Sequence, residues 1–252
     1  MLRCTPRWLS RHIRGATTVT TEERNHIRSL MREKGCAQGL GLDIINGMLR
    51  PNPALLPIAA LGECADFDCG TFRVAEPDVR PGFIAFAAEH LKGSIARSGL
   101  NGPQVVCVVG GGYLLSEWEL LDALSSSGVD VQQIHVIDIL YQPRGGRRGL
   151  MGAQRALSAF ASWFSASKVV AHRSVADFED TLCQGNETMP DLFLQLDCEE
   201  LELAYMMELL TRRLSIGGWF ARLEPVRNSE VMCAKAGIWR RTSHSSIQLE
   251  RE

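Results

Sequence analysis

Three consecutive glycines, Gly110-Gly111-Gly112, follow directly on the apolar run Gln104–Val109. Without a Cβ, glycine lets a ligand approach the main chain closely and lets the chain turn through left-handed angles. At the carboxyl end of a buried strand such a run either cradles a nucleotide-type ligand or makes the strand-to-helix turn itself. Three in a row exceed what the turn needs, which favours a pocket. Asp138 closes the next apolar run. A carboxylate there can accept both hydroxyls of a ribose, the plain alternative being a surface acid at a strand end. Taken together, the glycines and the acid say more than either alone, because parallel strands bring their ends side by side.

Other residues carry weaker signals. Asp177 follows the third strand and stands within reach of an adenine amino group, or is a helix-terminal charge favoured by the macrodipole; the second reading has the greater weight. Arg144, Arg147 and Arg148 sit in a Gly-rich stretch suited to gripping a phosphate or an RNA backbone, or to being solvated loop charge. Asp197, with Glu199 and Glu200 after it, follows the fourth strand, where it can orient a nucleophile. The same acids fit the first turn of a helix with no further role. His135 and His172 read as packing or turn residues. Leu203, Met206, Met207 and Leu210 recur at helical spacing and read as core.

The elements that position these residues follow from periodicity. From Pro81 onward, helices over Gly82–Arg97, Leu114–Leu124, Leu150–Phe164, Val175–Cys183 and Glu199–Arg213 alternate with strands over Gln104–Val109, Gln133–Leu140, Lys168–Ala171, Asp191–Leu196 and Gly218–Leu223. Alternation of this kind forces right-handed crossovers and a parallel sheet covered on both faces. Two closing strands, Gly237–Arg241 and Ser246–Glu250, are joined by too few residues to pair other than as an antiparallel hairpin. The expected fold is a Rossmann-like α/β domain over 81–252, with a mostly parallel seven-stranded sheet. Ahead of it, 22–80 forms a helical extension or cap, whose helix Glu22–Lys34 has Thr20 or Thr21 as N-cap and Gly35 as stop.

Residues 1–21 form a basic leader. Arg3, Arg7, Arg11 and Arg14 are interspersed with Trp8, Leu9 and Ile13, and there is no acid. This is the composition of a mitochondrial transit peptide, or of a frayed basic helix. With 45% apolar residues and a net charge of -2, the chain is globular and has no global attraction to polyanions. Its eight cysteines lack zinc spacing. They read as reduced thiols of an intracellular protein with no metal, and no stretch is long enough to span a membrane.

The segment Val105–Asp138 resembles motif I and the acidic loop of the S-adenosylmethionine-dependent methyltransferases of class I. Val108, Val109, Gly110, Gly111 and Gly112 stand where that family has acid-x-Gly-x-Gly, and the segment from Ser215 to Phe220 resembles its turn into the fifth strand. The resemblance implies S-adenosylmethionine as cofactor, bordered by Gly110, Gly111, Gly112 and Asp138 with Asp177 near the adenine, and an unknown methyl acceptor. Val108 departs from the motif's acid and Leu114 from its third glycine. Leu196-Asp197-Cys198-Glu199 does not match the fourth-strand motif of amino-group methylators. The chain is also similar to polyamine aminopropyltransferases, whose motif begins with three glycines, and a dinucleotide fingerprint fails at Leu115. Two functions follow. One is a methyltransferase in which the protein positions cofactor and acceptor. The other is a catalytically inactive methyltransferase-like scaffold, for example in a mitochondrial complex, meeting a protein or RNA partner through Arg144–Arg148.

Overall fold

A computed structural model describes residues 11–12, 18–34, 40–45, 48–63, 73, 76–98, 102, 104–141, 147–184, 187–196, 201–227 and 232–251. Ten strands follow in chain order: β1 (Arg11–His12), β2 (Asp43–Ile45), β3 (Met48–Arg50), β4 (Gln104–Val109), β5 (Val131–Ile137), β6 (Lys168–His172), β7 (Leu192–Leu196), β8 (Trp219–Arg227), β9 (Met232–Ser243) and β10 (Ser246–Arg251). The α-helices among the described residues are α1 (Thr21–Lys34), α2 (Val79–Ser98), α3 (Leu115–Ser126), α4 (Arg147–Trp163), α5 (Val175–Cys183) and α6 (Leu203–Arg213).

The large sheet has the order β1-β6-β5-β4-β7-β8-β9-β10. The strands β4 to β8 pair in parallel, as the alternation of strands and helices requires. Every residue of β4 is buried because both faces of the sheet are covered. Val106 and Val108 point to one face, with Ile134 and Leu194, and pack with Leu91 of α2, Trp118 of α3 and Phe160 of α4. Cys107, Val109 and Phe193 point to the other, with Phe178 of α5 and Leu210 of α6. Cys107 thus behaves as a small hydrophobe, its thiol pKa pushed well up by burial.

The expected α/β Rossmann-like architecture with a closing antiparallel hairpin is what the chain adopts. Its last strands are longer than the sequence suggests. β8 runs on to Arg227 rather than stopping at Leu223, and β9 begins at Met232 rather than Gly237. The parallel partner β7 ends opposite Leu223, so among the described residues the remainder of β8, including Pro225, pairs with β9 alone. The class I order closes 5-7-6. Here the sixth strand of the run pairs directly with the fifth and the seventh lies at the edge. The four residues between Arg227 and Met232 leave no room for a crossover helix, so the chain returns at once as an antiparallel neighbour.

The N-terminal segment shares this core. Thr20 and Glu23 form a reciprocal capping box at the start of α1, Glu23 N donating to Thr20 Oγ1 (3.2 Å) and Thr20 N to Glu23 Oε2 (2.8 Å). From α1, Ile27 joins the same buried cluster as Val106 and Trp118, as do Leu40, Ile58 and Leu61. Gly35, the expected stop of α1, lies outside the described residues. Strand β1, from within the basic leader, pairs antiparallel with β6.

Candidate functional site

The turn after β4 is built by its own backbone demands. Gly110 and Gly112 have φ of 72° and 49°, and Leu114 follows at 64°, the left-handed region that glycine enters freely. Gly111 has a different reason. A Cβ there would lie 2.7 Å from Leu114 Cδ2 and 2.9 Å from Val108 Cγ1, so the missing side chain lets the turn sit down on its own core. The turn is also braced from outside. Tyr141 donates its hydroxyl to the Gly112 carbonyl (3.1 Å), and burial with nearby Asp138 keeps that phenol protonated. Tyr113 packs against Gly152 of α4, with the Arg50 guanidinium 4.9 Å above its ring.

Asp138 follows the last residue of β5. Its Oδ2 accepts from Gly112 N (2.7 Å) and its Oδ1 from Leu140 N (2.7 Å). Its own N–H donates to the His172 carbonyl (3.1 Å). The acid and the glycines do meet, as the strand order requires, and they meet each other. Both carboxylate oxygens serve the main chain of the loops they join.

The helix N-terminus beyond the turn is met by the N-terminal segment. Gly62 forms a parallel bridge with Leu114. Gly62 N donates to the Tyr113 carbonyl (3.2 Å) and the Gly62 carbonyl accepts from Leu115 N (3.3 Å). That carbonyl therefore takes one of the first-turn amides of α3, where an anionic ligand group would otherwise bind. Next to it lies a buried ionic cluster. Arg73 pairs with Glu63 and holds Glu119 with two nitrogens (3.2 and 3.1 Å) and Ser116 Oγ (3.1 Å), while Arg80 stands 3.6 Å from Glu63. Among the described residues, Gly62, Glu63, Gly110, Gly111, Ser116 and Glu117 border a cleft of about 200 Å³, its open mouth included.

Asp177 is placed in the first turn of α5. Its N–H donates to the N-cap hydroxyl of Ser174 (3.2 Å), and its carboxylate accepts from the N–H of Arg173, the residue before the N-cap (3.1 Å). Arg147 and Arg148 belong to α4 rather than to a loop, since the helix starts at Arg147, ahead of Gly149, and not at the expected Leu150. Arg144, Asp197, Glu199 and Glu200 lie outside the described residues. Sequence reasoning missed Tyr141, Gly62 and the Glu63–Arg73–Glu119 cluster, whose partners are too distant in sequence for any local pattern to flag them. Among the described residues no three His, Cys, Asp or Glu side chains are grouped to hold a metal ion.

The resemblance implies S-adenosylmethionine, and the described residues to which it gives a place beside that cofactor are engaged within the fold. The glycine that would open a cradle is filled from beneath by Leu114 and Val108. The acid that would take the ribose has both oxygens on backbone amides, and the first-turn amide of Leu115 is taken by Gly62.

No protein-family model and no curated protein matches the chain. Solved structures similar to it include an O-methyltransferase family protein from Burkholderia thailandensis (14% identity, 65% of this chain and 42% of that one, TM-score 0.39). Others are a cyclopropane-fatty-acyl-phospholipid synthase-like protein from Lactobacillus casei (15%, 60% and 53%, TM-score 0.37) and an rRNA methyltransferase from Streptomyces viridochromogenes (17%, 59% and 76%, TM-score 0.35). The aligned region spans about half the length of the first two. The fold assignment rests on the sheet itself: parallel strands in the order 3-2-1-4-5, helices on both faces and a closing antiparallel pair. The chain has an α/β Rossmann-like fold closed by an antiparallel hairpin. No helix among the described residues is long and apolar enough to cross a membrane.

Proposed function

We propose that this chain is a methyltransferase-like scaffold, an interaction protein that keeps the sheet and the glycine turn without using an adenosyl cofactor. The observation that carries this reading is the Asp138 carboxylate, held by Gly112 N and Leu140 N at 2.7 Å each. Every described residue to which the resemblance gives a place beside the cofactor has a task within the fold. Gly110 and Gly112 provide backbone angles, Gly111 close packing, Asp138 a clamp and Asp177 a cap. Fold alone does not carry activity, so function is argued from these contacts. A protein or RNA partner at the basic segment that ends in Arg147 and Arg148 belongs to the same reading.

The second reading is an S-adenosylmethionine-dependent methyltransferase of unknown acceptor. The cleft beside Gly110 and Gly111 favours it, since Ser116 and Glu117 border that cleft with polar groups. Calorimetric titration of the full chain with S-adenosylmethionine and S-adenosylhomocysteine separates the two. The scaffold reading expects no heat of binding at millimolar ligand from protein shown to be folded. Micromolar binding that disappears in Asp138→Ala would establish the methyltransferase reading instead.

A further inference from the structure

A chain of hydrogen bonds runs along β5 and β6 on the face covered by α5, apart from the glycine turn. Lys168 Nζ donates to Glu187 Oε1 (2.6 Å), and Gln133 Nε2 donates to Glu187 Oε2. Because that nitrogen must donate to a carboxylate, the orientation of the Gln133 amide is fixed. Its second hydrogen then faces His135 Nε2 at 2.8 Å. His135 Nε2 is therefore the acceptor, and its proton sits on Nδ1, which donates to His172 Nε2 at 2.9 Å. His172 is left with its own proton on Nδ1, where it meets no partner. The network thus assigns the Nδ1–H form to both rings. Both are fully buried, stacked with centroids 5.1 Å apart, and each lies edge-on to Phe178.

An added proton reverses one of these links. A charged imidazole donates from both nitrogens, so a proton on His172 Nε2 confronts the Nδ1–H of His135. A proton on His135 Nε2 confronts the amide hydrogens of Gln133. Among the described residues, the groups facing the pair are few. Asp177 on α5 and Glu187 beyond it favour the charged rings, and Lys168 on β6 disfavours charge on His135. Cys107 stands opposite His135 on β4 as a neutral thiol, and β1 brings Arg11 and His12 alongside β6. Burial outweighs the two acids and holds His135 down to about 3 and His172 to about 4.

The pair reaches the glycine turn through one main-chain bond. The His172 carbonyl accepts the N–H of Asp138, whose carboxylate holds Gly112 N. We propose that the His135–His172 pair is an acid-sensitive latch on the glycine turn: protonation breaks the chain between β5 and β6, loosens Asp138 and frees Gly110–Gly112. The latch depends on the closed geometry of the turn and not on whether a cofactor binds. It therefore stands or falls separately from the scaffold reading.

The test is one titration of the isotope-labelled full chain from neutral to about pH 3. It follows the ring nitrogens, the Asp138 carboxyl carbon and the hydrogen-exchange protection of the Gly112 amide. At neutral pH both rings are expected in the Nδ1–H form. On acidification, protection at Gly112 falls by at least about tenfold, in step with ring protonation and not with the Asp138 carboxyl. An Nε2–H ring at neutral pH, or a ring titrating at its ordinary value of about 6.5, overturns the proposal. So does loss of protection that tracks the Asp138 carboxyl. In the variant carrying His135→Gln and His172→Gln the turn stays protected through the same pH range, and loss at an unchanged pH contradicts the latch. If that variant does not fold, the order of events in the natural chain decides.

Discussion

A methyl group at Gly111 would press on Leu114 and Val108 at 2.7 and 2.9 Å, and both neighbours are fully buried. Gly111→Ala is therefore expected to destabilise the ligand-free protein by about 1–3 kcal/mol, through overpacking. Urea denaturation checks this, and unchanged stability would mean that the glycine serves a ligand instead. Asp138→Ala removes the acceptor of two backbone amides and is expected to cost about 1–3 kcal/mol in the same assay. A cost near zero would show that the clamp carries little. At this scale the glycines and the acid were legible as a pair, because strand order alone brings Gly112 and Asp138 together. Whether they face a ligand or each other was not legible. That depends on the last few tenths of an ångström in a turn, and on Tyr141 and Gly62, which no pattern ties to it.

Among the elements, the Glu63–Arg73–Glu119 cluster joins the N-terminal segment to α3. All three side chains are about 2% exposed. Removing one member of such a group leaves charge buried against its remaining neighbours, so Arg73→Met is expected to destabilise by about 3–5 kcal/mol. A loss below about 1 kcal/mol in urea denaturation would mean that the segment docks through Ile58 and Leu61 and not through the ions. The strands β4 to β7 and the helices between them were readable from apolar runs and their periods, since each is specified by residues within a few positions of one another. The cluster was not readable, because Arg73 and Glu119 are 46 residues apart and a lone charge in a Gly- and Asp-rich stretch looks like loop. The length of β8 was hidden for a related reason. Pro225 reads as a stop unless one knows that β7 has already ended.

Across the whole molecule, stability and pH are linked through the two buried histidines. Both fold with pKa values below the ordinary 6.5, at about 3 and about 4, because burial penalises the charged ring. The unfolded chain thus binds protons that the folded chain does not once pH drops below about 6.5. Stability contributed by the neutral rings is complete above that value, and falls as pH falls toward 4, by up to about 1.4 kcal/mol per pH unit for each ring. The urea midpoint is expected to drop between pH 7 and pH 5, and a flat profile would show that the rings titrate normally in the folded state. The architecture at this scale, a parallel sheet wrapped on both faces and closed by a hairpin, followed from the alternation of elements. The joining of the described N-terminal residues to the same core did not, because that contact is made by scattered apolar residues such as Ile27, Leu40 and Ile58.

The most direct measurement is the scalar coupling across the hydrogen bond between the Gly112 amide nitrogen and the Asp138 carboxyl carbon, recorded before and after adding millimolar S-adenosylmethionine. A coupling present at neutral pH and unchanged by the ligand is what the self-closed turn requires. A coupling that vanishes while the Asp138 carbon and Gly112 amide signals move would show that the acid exchanges its backbone partner for a ribose, and that the chain binds an adenosyl cofactor after all.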